Sequence, residues 1–337
     1  MESITGLILV LLAGVISGSF YVPATYTKRW EWEHTWFVFS ITGMFILNWI
    51  FIMISFPAVF EVFKEAPQRD ILIMVVSGMI WGIGGILTGL AMDRLGMALA
   101  FPIVLGIIAS FGAFIPLIVF FSEGIFSLKG VVLTTGTLTS IVGVIICSRA
   151  FFLKQPEGEK NDTAKKGSLK ANIIIAVMAG LMSSLMNVGF SFGVSLIETA
   201  RNLGASEAFA GNAAWLVILT SGGIFNVGYC IYLMAKRSTF RQFFGPATIR
   251  NLGLGSIMGF LWCGALYMYG FGAANLGSWG VVIGWVLYIS TNMMTGNLWG
   301  IFRGEWKGAP VKARKFLNAG LMVFILAIII VAVSDVL

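Results

Sequence analysis

Long apolar stretches recur along the chain and alternate with short polar segments. Ten such stretches are long enough to cross a bilayer, because a membrane helix needs about 20 mainly apolar residues. They cover about residues 4–24, 35–56, 71–92, 97–121, 131–149, 171–195, 213–235, 251–273, 278–301 and 316–335. The pattern predicts an all-α polytopic membrane protein with ten transmembrane helices, which we number as spans 1 to 10.

Composition agrees with this pattern. Of the 337 residues, 58% are hydrophobic and 11% are charged, whereas charged residues make up about a quarter of a soluble domain. A soluble globular protein is therefore excluded, and the lipid bilayer is the expected partner of most of the chain. The net charge of +7 does not gather on a soluble module, so no nucleic-acid partner is expected.

The positions of the basic residues predict an orientation. Of the 22 Lys and Arg residues, 18 lie in the loops after spans 1, 3, 5, 7 and 9. Cytoplasmic loops carry an excess of Lys and Arg. We therefore expect these odd-numbered loops to be cytoplasmic and both termini to face the periplasm or the cell exterior.

Two sequence patterns indicate an internal repeat. The pattern W-x7-G-x5-L-G occurs at residues 81–96 and again at 262–277, at a constant offset of 181. A shorter match relates Ala13, Gly14 and Ser17 to the same residue types at 179, 180 and 183. The longest polar segment, 150–170, would then link a first five-helix repeat (1–149) to a second (171–337). Since each half has an odd number of spans, the two halves would be inverted in the membrane, as in many secondary transporters.

The polar residues inside the spans indicate a neutral ligand. No charged residue lies clearly in the middle of a span, and the one histidine and three cysteines have no metal-ligand spacing. We therefore expect no metal site, no cofactor and no enzymatic activity. Amides, hydroxyls and aromatic rings are the groups that bind a small neutral sugar by hydrogen bonding and stacking. The candidate substrate-binding residues are Tyr21, Trp81, Asn187, Asn226, Trp262, Tyr288 and Asn292.

Several segments resemble the L-rhamnose–proton symporter family of the drug/metabolite transporter superfamily. The resemblance extends over nearly the whole chain, and its most specific parts are the aromatic and charged run after span 1 and the WGIG segment. The matching positions are Ser17, Phe20–Tyr21, Pro23, Lys28–Glu33, Trp36, Trp81–Gly84, Gly89–Leu90, Met92, Leu95–Met97, Gly222–Gly223, Asn226, Gly228, Cys230, Ala235–Lys236, Trp285 and Glu305–Trp306.

The resemblance implies two inverted five-helix halves in a bacterial inner membrane. It also implies a cavity among helices 1–4 and 6–9, and uptake of L-rhamnose or a related deoxyhexose driven by a proton gradient. A titratable group must then carry the proton, and the candidates are Glu198, Glu33 and Asp93. Glu198 ranks first, because it closes span 6 near the outer face, where an importer loads its proton, and matches a glutamate of the family.

Several alternatives remain open at this stage. A sodium-coupled sugar carrier would also explain the absence of carboxylates in the middle of the spans. An exporter of a small metabolite would share the fold but reverse the direction of transport. A membrane-embedded enzyme would need acids, bases or metal ligands within the spans, and none is evident. The composition is compatible with a monomer or a homodimer.

Overall fold

The protein is all-helical in the parts that the structure describes. The computed structural model describes residues 2–56, 58–95, 97–154 and 168–337. The helices are α1 (Glu2–Ser19), α2 (Trp32–Ser40), α3 (Leu47–Ser55), α4 (Val59–Glu65), α5 (Gln68–Leu95), α6 (Met97–Phe120), α7 (Leu128–Lys154), α8 (Leu169–Phe192), α9 (Val194–Asn202), α10 (Glu207–Ala210), α11 (Asn212–Arg237), α12 (Thr248–Asn275), α13 (Gly280–Phe302) and α14 (Val311–Val336). A short 3-10 helix, Val22–Tyr26, follows α1, and a π-helix, Ile41–Ile46, joins α2 to α3.

Nine helical segments within the described residues are long and apolar enough to cross a membrane. They coincide with nine of the ten predicted spans, so the prediction of a polytopic membrane protein is confirmed. The remaining prediction, span 9, coincides with α13, which has 23 residues but is not among the nine. Its second half contains Ser290, Thr291, Asn292, Thr295 and Asn297, which lower its mean hydropathy.

Helices extend into both ends of the predicted linker 150–170. Helix α7 continues to Lys154 and α8 begins at Leu169. The interior of the linker, 155–167, lies outside the described residues, as does Gly96 of the first repeated pattern.

The helices pack in a regular set of neighbours. Helix α1 packs against α12 and α13, and α8 packs against α5 and α6. Helix α7 packs along α14, α11 against α5, and α2 against α11 and α12. Glycines allow some of these close approaches. A Cβ on Gly82 of α5 would lie 2.4 Å from the backbone oxygen of Gly222 in α11, so only glycine fits there without a shift.

The loops gather at two ends of the bundle. At one end, the indole Nε1 of Trp30 donates to the backbone oxygen of Gln242 at 2.9 Å, and Arg303 lies over the ring of Tyr26. We call this end, with loops 20–31, 238–247 and 303–310, the basic end. At the opposite end, Ser195 donates to Asp70 at 2.6 Å.

Candidate functional site

Two tryptophans of the predicted repeat stack on each other in the middle of the bundle. Trp81 of α5 and Trp262 of α12 have parallel rings, with an interplanar angle of 9° and centroids 5.8 Å apart. Gly222 supports Trp81, since a Cβ there would meet the indole at 2.3 Å. Phe39 approaches Trp262 edge-on at 5.4 Å. Both indoles are partly exposed, so part of each aromatic surface is not covered by the protein.

A neutral hydrogen-bonding cluster joins α1 to α13. The hydroxyl of Tyr288 donates to Ser17 Oγ at 2.7 Å, and Asn292 Nδ2 donates to the same oxygen at 2.6 Å. Ser17 and Tyr288 are buried, while Asn292 is partly exposed. Tyr288 and Asn292 lie four residues apart and share one face of α13, as the sequence predicts.

Phe20 and Phe39 connect this cluster to the stacked indoles. Phe20, which lies one turn beyond Ser17, has its ring 5.4 Å from that of Phe39, and Phe39 in turn contacts Trp262. The structure therefore brings four of the seven predicted binding residues into one continuous neutral region.

Asn226 lies on α11 beside the stacked pair. Its Oδ1 accepts a hydrogen bond from the indole Nε1 of Trp36 at 3.1 Å, and its Nδ2 donates to the backbone oxygen of Gly222 at 3.2 Å. Trp36 also lines a cavity of about 150 Å³ with the predicted residue Tyr21, near the basic end. The full lining of this cavity is Tyr21, Ala24, Thr27, Trp30, Glu31, Trp32, Thr35, Trp36 and Met258.

Asn187 lies apart from these residues, inside a packed aromatic layer toward the opposite end of the bundle. Its Oδ1 accepts from the hydroxyl of Tyr269 at 2.7 Å, and its Nδ2 donates to the backbone oxygen of Gly112 at 2.8 Å. Phe190 and Trp215 stack beside it at 4.3 Å. Both polar ends of Asn187 are thus engaged within the protein, and the amide ties α6, α8 and α12 together.

The three carboxylates predicted for proton coupling have different environments. Glu33 is fully buried at the start of α2, and both of its oxygens accept from Arg237, at 3.2 and 3.0 Å. Glu198 is exposed on α9 at the opposite end, and Asp93 is exposed near the end of α5. Only Glu33 is removed from solvent.

The pair formed by Glu33 and Arg237 belongs to a larger set of contacts at the basic end. His34 is fully buried, and its Nε2 donates to the backbone oxygen of Thr239 at 2.9 Å. Asn251 donates to the backbone oxygen of Lys28 at 2.8 Å. The first contact joins α2 to the loop after α11, and the second joins α12 to the loop after α1. Within the described parts of the chain, no group of three His, Cys, Asp or Glu residues is placed to hold a metal ion.

The sequence interpretation missed Ser17 and Trp36 as site residues. Ser17 carries a signal, because it belongs to the repeated A-G-x2-S pattern of spans 1 and 6. Its partners on α13 are more than 270 residues away, and local spacing does not reveal such a pairing. Trp36 was part of the family resemblance, but a tryptophan near a helix end is usually an interfacial anchor.

Comparison with known proteins gives a consistent family assignment. The sequence model of the L-rhamnose-proton symport protein family matches residues 2–336. The L-rhamnose-proton symporter of Shigella dysenteriae serotype 1 is 29% identical over 331 residues, which cover 96% of each chain. The symporters of the same name from Klebsiella pneumoniae (strain 342) and Escherichia coli O45:K1 are each 28% identical over the same length and coverage. The chain described here belongs to the L-rhamnose-proton symport protein family.

Proposed function

We propose that this protein imports L-rhamnose, or a closely related deoxyhexose, together with a proton. The observation that carries the proposal is the neutral region between the halves of the bundle, where Trp81 and Trp262 stack close to the hydroxyl and amide cluster around Ser17. Family membership and the names of the relatives support the same substrate.

The chemistry of the region suits a deoxyhexose. Such a sugar is neutral, carries several hydroxyls, and has a methyl group and apolar ring faces. Hydroxyl and amide groups can both donate and accept hydrogen bonds with the sugar hydroxyls, and an indole provides an apolar surface. Ser17, Tyr288 and Asn292 would take the first role, and the two indoles would take the second.

We infer that the chain has ten spans in two inverted halves, 1–149 and 171–337, with α13 as the ninth span. The helix contacts support this inference. Span 1 packs against spans 8 and 9, and span 6 packs against spans 3 and 4. These are the same pairings with the two halves exchanged. Two equivalent halves can exchange conformations, which opens the site first to one face and then to the other.

The orientation follows from the charges. The basic end faces the cytoplasm of a bacterial inner membrane, because cytoplasmic loops are rich in Lys and Arg. Both termini then lie on the periplasmic side.

We propose Glu33, in place of Glu198, as the first candidate for proton coupling. Glu198 is exposed and makes no ion pair among the described contacts that would join one helix to another. Glu33 is buried and paired with Arg237, so a proton bound there would remove the charge that holds α2 against the end of α11. Such linkage between protonation and conformation is what coupling requires.

Uptake by reconstituted protein tests the function. Purified protein in liposomes is given radiolabelled L-rhamnose with an inward proton gradient, with an inward sodium gradient, or with neither. Accumulation above equilibrium only with the proton gradient is the expected result. Accumulation only with the sodium gradient would show that sodium is the coupling ion and would leave the proposed sugar unchanged. No specific uptake under any condition would refute the proposed substrate.

Two matched variants test the coupling residue. Glu33→Gln should lose proton-driven accumulation and retain exchange of labelled for unlabelled sugar, while Glu198→Gln should behave as wild type. The reverse result would make Glu198 the first candidate for proton coupling.

A further inference from the structure

A second repeated pattern relates span 2 to span 7. Trp36 is followed by Gly43 and Asn48, and Trp215 is followed by Gly222 and Asn226. The tryptophan and glycine are seven positions apart in both halves, and a Thr or Ser precedes each glycine. The asparagine comes one residue later in span 2 than in span 7.

The π-helix Ile41–Ile46 accommodates the extra residue of span 2. A π-turn adds one residue to a helix without changing its register on either side, and such turns are frequent at functional sites. The two asparagines accordingly make the same local bond. Asn48 Nδ2 donates to the backbone oxygen of Met44 at 3.1 Å, and Asn226 Nδ2 donates to that of Gly222 at 3.2 Å. Both acceptors lie four residues earlier.

The indole N–H groups of the two tryptophans, however, differ in their hydrogen bonding. Trp36 donates its Nε1 to Asn226. Trp215 is fully buried, and its Nε1 has no hydrogen-bond partner in the described residues. The equivalent acceptor, Asn48 Oδ1, instead receives the hydroxyl of Tyr267. A buried indole N–H without an acceptor is unfavourable, so the second half lacks a bond that the first half makes.

Two equivalent glycines show the same asymmetry. Gly270 of α12, 181 residues after Gly89, is covered by Trp215, whose Nε1 would lie 2.8 Å from a Cβ there. Gly89 of α5 is exposed and would meet nothing within 4 Å. One turn earlier, a Cβ on Gly85 would meet Asn226 Oδ1 at 3.6 Å, so this side of α5 faces α11.

We propose that Trp36 and Trp215 are paired gate residues that exchange roles during transport. In the conformation described here, Trp215 closes the opposite end over Gly270, and Trp36 is held by Asn226 away from Gly89. In the other conformation, Trp36 covers Gly89 and closes the basic end. Trp215 then leaves Gly270 and donates to Asn48, replacing Tyr267. This inference rests on the proposed function, since it assigns residues to alternating access.

The exposure of position 89 tests the exchange directly. The variant Gly89→Cys is made in a chain whose three native cysteines, all buried, are replaced by alanine. The rate of labelling by a membrane-impermeant maleimide is then measured from the face of the basic end. Because each bond is made in one conformation only, its removal shifts the population toward the other conformation.

We expect one of three variants to accelerate labelling and the other two to slow it. Trp215→Phe removes a bond of the other conformation, so labelling should accelerate. Trp36→Phe removes a bond of the present conformation, and Tyr267→Phe frees Asn48 for Trp215, so both should slow labelling. Loss of one hydrogen bond of ordinary strength corresponds to a change of about three- to tenfold. Trp49→Phe, on the same helix as Asn48 but outside the repeated pattern, should leave labelling unchanged.

The outcomes separate this inference from the proposed substrate. Labelling shifts in the same direction for Trp36→Phe and Trp215→Phe, or no shift in either, would overturn the gates, even if the protein transports L-rhamnose. Opposite shifts in a protein without L-rhamnose uptake would support the gates and refute the substrate. A variant that does not fold is recognised by its elution profile in detergent. Tyr267→Phe then decides the question, because it changes neither tryptophan.

Discussion

Arg237→Gln should destabilise the protein far more than Glu33→Gln, although the two side chains form a single ion pair. The Glu33 carboxylate is 0% exposed, whereas the Arg237 side chain is 52% exposed. Without Arg237, a buried carboxylate loses its cation, which costs about 3–5 kcal/mol. Without the carboxylate, water can solvate the guanidinium, and a neutral amide remains in place. We therefore expect a cost for Glu33→Gln of about 1–2 kcal/mol.

The measurement is thermal unfolding of the purified protein in detergent. At roughly 2 °C per kcal/mol for a chain of this size, Arg237→Gln should lower the midpoint by about 6–10 °C, and Glu33→Gln by about 2–4 °C. The double variant should unfold near the temperature of Glu33→Gln alone, because it has no buried charge to compensate.

The pair Arg201 and Glu207 provides a matched control. Its nitrogen–oxygen distance is 2.6 Å, but its side chains are 35% and 69% exposed. Exposed pairs contribute about 0–1 kcal/mol, so Arg201→Gln should change the midpoint by no more than about 2 °C. If Arg237→Gln were no more harmful than Glu33→Gln, then burial of a charged carboxylate would not govern this site, and its role in coupling would lose its physical basis.

Three further substitutions test the site and its packing. Ser17→Ala leaves two donors without an acceptor and should raise the KM for L-rhamnose uptake at least about tenfold; unchanged uptake kinetics would remove the cluster from the binding site. Trp262→Leu removes a stacking surface and should weaken sugar binding by between about twofold and tenfold, as measured by tryptophan-fluorescence titration; tighter binding would contradict a stacking role. Gly82→Ala places a Cβ 2.4 Å from the backbone of Gly222 and should lower stability by about 1–3 kcal/mol in thermal unfolding. The added Cβ of Gly253→Ala would meet nothing within 4 Å, so this variant should keep its stability. Equal losses of stability in the two variants would show that close packing is not the cause.

Hydropathy was sufficient to place most of the helices, because lipid imposes a minimum apolar length on each span. It was weakest for α13, since that helix carries the Ser17 partners Tyr288 and Asn292. A helix with a polar face that lines a binding region has fewer apolar residues. A hydropathy average cannot distinguish such a helix from one that does not cross the membrane. The residues that lower the hydropathy of α13 thus include members of the proposed binding region.

The repeat patterns predicted which residues correspond, but not how they meet. The offset of 181 predicts that Trp81 and Trp262 are equivalent, and the structure stacks them on each other. Burial was harder to predict from local sequence. Glu33 lies in a charged run that is typical of a loop, yet α2 begins at Trp32 and packs against α11 and α12. That packing is tertiary, so local sequence did not show that Glu33 is buried while Glu198 is exposed.

Differences between the halves then decide which conformation is populated. If both halves had the same sequence, the two conformations of an inverted repeat would be related by a two-fold axis and equal in energy, and neither would be preferred. At the position 181 residues before Tyr267 the chain has Ile86, which has no hydroxyl. Nothing there competes with Trp36 for Asn226, whereas Tyr267 competes with Trp215 for Asn48. In the proposed exchange, one hydroxyl present in a single half would thus favour the conformation in which Trp215 is closed and Gly89 is open.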